Sequence, residues 1–295
     1  MPYCSNIRIV FSLISCRILL MLLMSGSAQG LLAEEKLPEL TGSELVARCG
    51  VKEAGLDQRS RLTVILQNPR QGAEKRSVYR RYWKAYGGKE DVFDKMLLFT
   101  EYPPDAVGSS FMRVAYEAES GKEADQWIYL PVLKKIRRVT IRDEGDSFLN
   151  SDLAYADVEQ RALDADQHNF LGVKKIQDME FYQVESIPRD SNNLYGRRLQ
   201  WFLKGEDWDS CASARIDYFS KEGALLKAQY IKWQEIDGVW IWDRVLVRNA
   251  ITGHVSIFVV SDVEVNVGLA DNLFSARTLR MGQKMLNKKR SAKGE

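Results

Sequence analysis

Histidine, cysteine and net charge are what this sequence has least of. Two His and four Cys occur in 295 residues. His168 and His254 each stand without a second ligand at metal-binding spacing, so a zinc or copper centre is not expected. No serine sits in a Gly-x-Ser-x-Gly elbow, and there is no glycine-rich phosphate loop; the usual signatures of acyl transfer and nucleotide chemistry are therefore missing. Without a nucleophile–base pair the chain is not expected to be an enzyme, and no cofactor is expected. Charge is balanced, with 42 Lys and Arg against 40 Asp and Glu. A surface with no basic excess argues against nucleic acid as a partner.

Long apolar runs are scarce as well. Ile18-Leu-Leu-Met-Leu-Leu-Met24 follows Arg8 and Arg17 and precedes the small residues Ser25-Gly-Ser-Ala28. A basic start, a short apolar core and a small-residue site describe an export signal over residues 1–28, cleaved after Ala28. The uncharged run from Ile18 to Ala33 is short for a membrane span. Cys4 and Cys16 leave with such a leader. Cys49 and Cys211 remain, and in an exported chain they are compatible with one disulfide or with two buried thiols. No linker rich in Pro, Gly or Ser divides the rest of the chain. The expected organisation is one domain over residues 29–280 and a solvated basic tail over 281–295, with Lys284, Lys288, Lys289, Arg290 and Lys293.

What is abundant is alternation. Thr41-Gly-Ser-Glu44 forms a capping box ahead of a short amphipathic helix that carries Leu45 and Cys49 on one face. From Arg61 the period becomes two. Strands are expected at 61–67, 77–86, 94–100, 110–116, 125–130, 180–187, 199–203, 214–219, 225–233, 239–247 and 252–260. Short turns join many of them, among them Asn68-Pro-Arg-Gln-Gly72, Ser220-Lys-Glu-Gly223 and Glu235-Ile-Asp-Gly238. Residues from about 150 to 170 are read as a helical or irregular lid, and Asp271–Leu279 as a short capped helix. The pattern predicts a mainly β (α+β) fold: a single antiparallel sheet, meander or barrel, with short helices as lids.

The strands are rich in aromatic residues. Aromatics at i and i+2, as in Trp127/Tyr129 and Trp240/Trp242, place two large rings on one face. The short helical segments are too small to cover so wide a sheet, so the aromatic face is expected to line an apolar cavity. The candidates are Phe99, Phe111, Trp127, Tyr129, Trp240 and Trp242. For any one of them, ordinary core packing is the competing reading.

The most distinctive stretch runs from Asp125 to Asp157. Trp127-Ile-Tyr-Leu-Pro131 is followed by Arg137-Arg138, then Ser147-Phe148, Ser151-Asp152, Tyr155 and Asp157. This order resembles the signature of a bacterial family of outer membrane lipoprotein-sorting proteins, W-x-Y-L-P-x-x-x-x-x-R-R followed by S-F-x-x-S-D-x-x-Y-x-D. The closing Asp271-x-Leu-Phe-Ser-x-Arg277-x-Leu279 segment looks familial too. Asn150 stands where the family commonly has Gly, and Asn tolerates positive φ better than most residues.

The resemblance implies a LolA-like fold: a strongly curved, incomplete antiparallel β-barrel, closed on its concave side by helices. It further implies a periplasmic carrier that shields the acyl chains of a lipoprotein or lipid, working beside an RND-type exporter. The motif residues would then be structural, with Arg137 and Arg138 holding the loop at the cavity edge together with Asp152 and Asp157. A non-carrying adaptor of such an exporter is the alternative of a different class. A lipid hydrolase ranks third, because the sequence singles out no His or Asp for it.

Overall fold

The computed structural model describes residues 40–50, 52, 54–139, 145–207 and 210–282. The expected leader, residues 140–144 of the acidic loop and the tail beyond Gly282 lie outside these.

The described residues form thirteen strands: β1 (Asp57–Asn68), β2 (Ala73–Ala85), β3 (Val92–Tyr102), β4 (Ser110–Tyr116), β5 (Asp125–Leu130), β6 (Lys135–Arg138), β7 (Asp166–Ile176), β8 (Met179–Pro188), β9 (Arg197–Leu203), β10 (Ala212–Phe219), β11 (Leu225–Ile236), β12 (Val239–Asn249) and β13 (Val255–Val265). All lie in one antiparallel sheet, in the order β6-β5-β4-β3-β2-β1-β13-β12-β11-β10-β9-β8-β7. The chain starts at the centre and meanders to one edge at β6. It then crosses to the opposite edge at β7 and meanders back, so that β13 pairs with β1. The two edges do not pair with each other, and the sheet is a curved, open half-barrel.

That order gives the central stretch its role. Residues 145–165 carry the chain from one edge of the sheet to the other, across the inner face. Phe148 and Leu153 are buried there against Leu62 and Val64 of β1, Met96 and Leu98 of β3, and Phe258 of β13. Of the two readings of this lid, helical or irregular, the irregular one holds. The strap contains only single 3-10 turns, at Phe148–Asn150, Tyr155–Asp157 and Leu163–Ala165, and β7 begins at Asp166. Strand β7 escapes the alternation test because it is a polar edge, and a register shift at Phe170/Gly172 breaks its period.

Two helices complete the fold among the described residues. Helix α1 (Gly42–Cys49) starts at the capping box, with both Thr41 and Glu44 engaged. It buries Leu45 and Cys49 on Val184 and Phe202, on the inner face beside β7–β9. Gly42 lets it approach that closely, since a Cβ there would lie 2.6 Å from the His168 carbonyl oxygen. Cys49 and Cys211, compatible by sequence with either state, are joined in a disulfide that ties α1 to the start of β10. Helix α2 (Ala276–Met281) lies on the outer face, where Leu273, Phe274 and Leu279 cover Leu97, Phe99 and Met112. Strand β3 is thus covered on both faces, which is why Met96-Leu-Leu-Phe-Thr100 reads as an unbroken run. At the sheet centre the outer face is wet and carries ion pairs of Arg61 and Arg80 with Glu101.

Candidate functional site

Following the register from strand to strand shows which side chains share the inner face. Tyr79, Arg81 and Trp83 of β2 stand opposite Thr100, Leu98 and Met96 of β3. Leu98 and Met96 in turn face Phe111 and Arg113 of β4, and Arg113 faces Gln126 of β5. On the other side of the centre, β12 offers Val245 and Val247. Strict alternation would send Trp242 and Trp240 to the outer face. A bulge beside Lys232/Trp233 resets the alternation and sets Trp242 opposite Trp233.

The result is a half-open cavity of about 290 Å³, near the lower end of small-molecule sites, about 300–1,000 Å³. Four tryptophans line it: Trp83, Trp233, Trp240 and Trp242. Phe93, Phe148, Phe258, Leu62 and Met96 continue the apolar wall. A smaller cavity of about 250 Å³ lies between β4 and the strap, walled largely by alanines such as Ala115, Ala156 and Ala162. Arg113 lines both cavities.

Beneath the aromatic wall the inner face is polar. Arg81 donates to Gln58 Oε1 at 2.8 Å and to Ser60 Oγ at 3.4 Å, both neutral. It keeps some accessible surface because it lines the cavity. Burial pushes its guanidinium down to about 10, and the Asp94 carboxylate offsets only part of this. Arg113 is 6% exposed and reaches Asp94 at 3.5 Å, a long contact. Its Nε has no hydrogen-bond partner, and neither has either amide atom of Gln126, which is 0% exposed. Five buried side-chain atoms among the described residues are left unpaired in this way, and three belong to this one cross-strand pair. Each such atom costs about 1–3 kcal/mol when nothing satisfies it.

The strap is held to the inner face by charges. Asp152 receives Ser256 Oγ at 2.6 Å and Asn249 Nδ2 at 3.2 Å, and its Oδ2 lies 2.6 Å from His254 Nδ1. Ser256 is fully buried and bonds the carboxylate, as His254 does, so this trio is an anchor and not a nucleophile–base–orienter chain. Asp157 accepts from Lys227 Nζ at 2.5 Å, Tyr195 Oη at 2.8 Å and the Ala154 N–H at 2.6 Å. Burial, and after it the Asp157 charge, push the Tyr195 hydroxyl far above its ordinary range. At the far end of the strap, Asp166 receives both Arg161 and Arg198. Burial works against the Asp166 carboxylate, but the two guanidiniums prevail and hold it below its usual range. Among the described residues no group of three His, Cys, Asp or Glu is placed to hold a metal ion.

The residues singled out by sequence divide between the two faces. Phe111 belongs to the inner core, Trp240 and Trp242 line the cavity, and Phe148 stacks on Phe258 at 6.5 Å between centroids. Phe99, Trp127 and Tyr129 are corrected: they pack on the outer face with Leu273, Phe274 and Leu279. Strand β5 has the parity of Met112, which stands opposite Trp127, not of Phe111. The expected pairing of Arg137 and Arg138 with Asp152 and Asp157 is corrected too. Arg138 binds Asp125 within its own hairpin, while Asp152 holds His254 and Asp157 holds Lys227.

The remaining motif residues shape turns. Pro131 begins the β5–β6 turn, where its carbonyl accepts from the Lys134 N–H. Ser147 bridges Ala154, and Ser151 Oγ donates to the Phe148 carbonyl at 2.7 Å. Tyr155 packs edge-on against Phe148. Asn150 has φ 59°, the conformation the family's Gly would take. Sequence reasoning missed Arg81, Arg113, Asp94 and Gln126. The signal was available in β2, where Arg81 sits at period two between Tyr79 and Trp83.

A family model described only as an uncharacterized protein matches residues 93–281. No curated protein matches the sequence. Among solved structures, a DUF1329 family protein from Desulfovibrio piger is 24% identical with a TM-score of 0.70, covering 81% of this chain and 97% of that one. A domain from Vibrio parahaemolyticus named for outer membrane lipoprotein sorting is 25% identical, with a TM-score of 0.67 and coverage of 81% and 98%. A LolA superfamily protein from Nitrosomonas europaea shares the fold at 18% identity, with a TM-score of 0.57 and coverage of 81% and 100%.

Proposed function

The chain belongs to the family whose model matches residues 93–281, and from that membership and the inner-face cavity we propose that it is a periplasmic lipid carrier. In this reading it is a binding protein and not an enzyme. It takes the acyl chains of a lipoprotein or lipid from the inner membrane, at an RND-type exporter, and delivers them towards the outer membrane. The observation that carries the reading is the half-open cavity walled by Trp83, Trp233, Trp240 and Trp242 under a strap that joins the two sheet edges. Apolar chain exposed to water costs about 0.8 kcal/mol per CH₂ group, so a wall of this kind is a sufficient driving force for capture. The Vibrio domain's name points the same way.

A brominated fatty acid tests this directly, because bromine quenches tryptophan fluorescence on contact. Saturable quenching is expected, and it should fall when Trp83 and Trp242 are both replaced by Phe. Absence of saturable quenching would overturn the carrier. Export is tested by sequencing the N-terminus of protein recovered from the periplasm, which should begin at Gln29.

One observation favours the adaptor as the second reading. The tip of the β5–β6 hairpin presents Val132, 91% exposed, and Leu133 beside Lys134 and Lys135. An apolar tip with a basic collar is a surface an exporter could hold. Co-purification with an RND-type exporter, from cells in which the protein carries no lipid, would favour it.

A further inference from the structure

The cavity carries more positive charge than an acyl chain needs. Two guanidiniums, Arg81 and Arg113, line it, and Asp94 is the single carboxylate among its lining residues. The Arg81 side chain is bonded to two neutral groups, Gln58 and Ser60. Arg113 holds Asp94 only at 3.5 Å, and its Nε points to no acceptor among the described residues. Directly across the β4–β5 pair, the Gln126 amide is fully buried with both ends unpaired. Buried polar atoms are normally satisfied, and a site that leaves three of them unpaired side by side is built for a group that arrives from outside. The unpaired guanidinium donor and the excess of positive charge select an anion, since a carboxylate or phosphate oxygen takes charge-assisted bonds from Arg. Gln126 lines neither cavity, so its amide is the buried backing of Arg113 and not a ligand contact. Arg113 also stands where the aromatic cavity meets the alanine-walled one, so a head bound there leaves its chain against the tryptophans.

We propose that Arg113 and Arg81 form a headgroup site, backed by the buried Gln126, and that the ligand of this cavity is an anionic amphiphile whose carboxylate or phosphate docks on Arg113. This rests on the carrier reading and narrows it: a neutral lipid of the same chain length is a poorer ligand.

The test compares three probes by calorimetry with the mature protein: palmitate, palmitamide and inorganic phosphate. Wild type should bind palmitate at least tenfold more tightly than palmitamide, with the gap shrinking as salt is raised. Arg113→Gln should bring the ratio of palmitate to palmitamide affinity from at least tenfold to about one. Gln126→Glu keeps the side-chain length and supplies Arg113 with a resident carboxylate. It should raise the melting temperature and abolish the preference for palmitate, which separates loss of the site from loss of the fold. Equal affinity for palmitate and palmitamide in wild type would overturn the headgroup site and leave the carrier standing. The same holds for a preference that survives both substitutions. Phosphate binding as tightly as palmitate would make this a free-anion site, not a lipid one. If neither lipid probe binds, the carrier reading falls, and the headgroup site falls with it.

Discussion

At the scale of single residues, partners decide which members of the motif matter. The Asp157 side chain is fully buried and faces Lys227, itself 9% exposed at the side chain. Asp157→Asn would leave that ammonium without its counter-charge, a change that costs about 3–5 kcal/mol in comparable buried pairs. Urea denaturation should therefore show a large drop in midpoint. Arg138 bonds Asp125 from a side chain that is 69% exposed. Arg138→Ala should cost less than about 1 kcal/mol, as exposed pairs do, and leave the strap unaffected. Sequence had assigned these residues to one interaction, and the two denaturation curves separate them. Asn150 gives a backbone test. It is exposed at φ 59°, so Asn150→Ala should cost about 1 kcal/mol and Asn150→Gly almost nothing.

At the scale of elements, α1 and the strap depend on links far apart in sequence. The Cys49–Cys211 disulfide spans 162 residues. Loop-closure entropy gives such a bridge a contribution of about 2–5 kcal/mol, and Cys49→Ser with Cys211→Ser should lower the stability by that order. Fraying of α1, read by amide exchange at Leu45, should accompany it. The strap's end at β7 is sensitive to pH. His168 bonds Ser186 Oγ through Nδ1 and the Leu163 carbonyl through Nε2, with Asp166, Arg161 and Arg198 nearby. Burial holds its folded-state pKa below the unfolded value near 6.5, even though the Leu163 carbonyl favours the charged form. Protonation thus favours the unfolded chain, and this contribution to stability is lost as pH falls below that value. The melting temperature should fall between about pH 7.5 and about pH 5, and His168→Gln should flatten the fall.

At the scale of the whole molecule, the sheet's local grammar was legible and its closure was not. Alternation and turn residues located every strand except β6 and β7, because a half-buried strand repeats every two residues. Strand β6 is four residues long and largely exposed, too short to show an alternation. The pairing of β1 with β13 joins residues about 200 positions apart, and no local pattern encodes it. Without that pairing the faces could not be assigned. Trp127 and Tyr129 therefore read as well as Trp240 and Trp242, although only the second pair reaches the cavity. The polar floor was overlooked because Arg81 and Arg113 look like solvent-facing charges until both faces of the sheet are known.

The central claim is that this cavity carries an acyl ligand. The most direct measurement is lipid mass spectrometry on mature protein purified from the periplasm without detergent. An acyl-bearing molecule with an acidic head, at close to one per protein, is the expected result. Protein that emerges empty and stays empty after incubation with envelope lipids would contradict it.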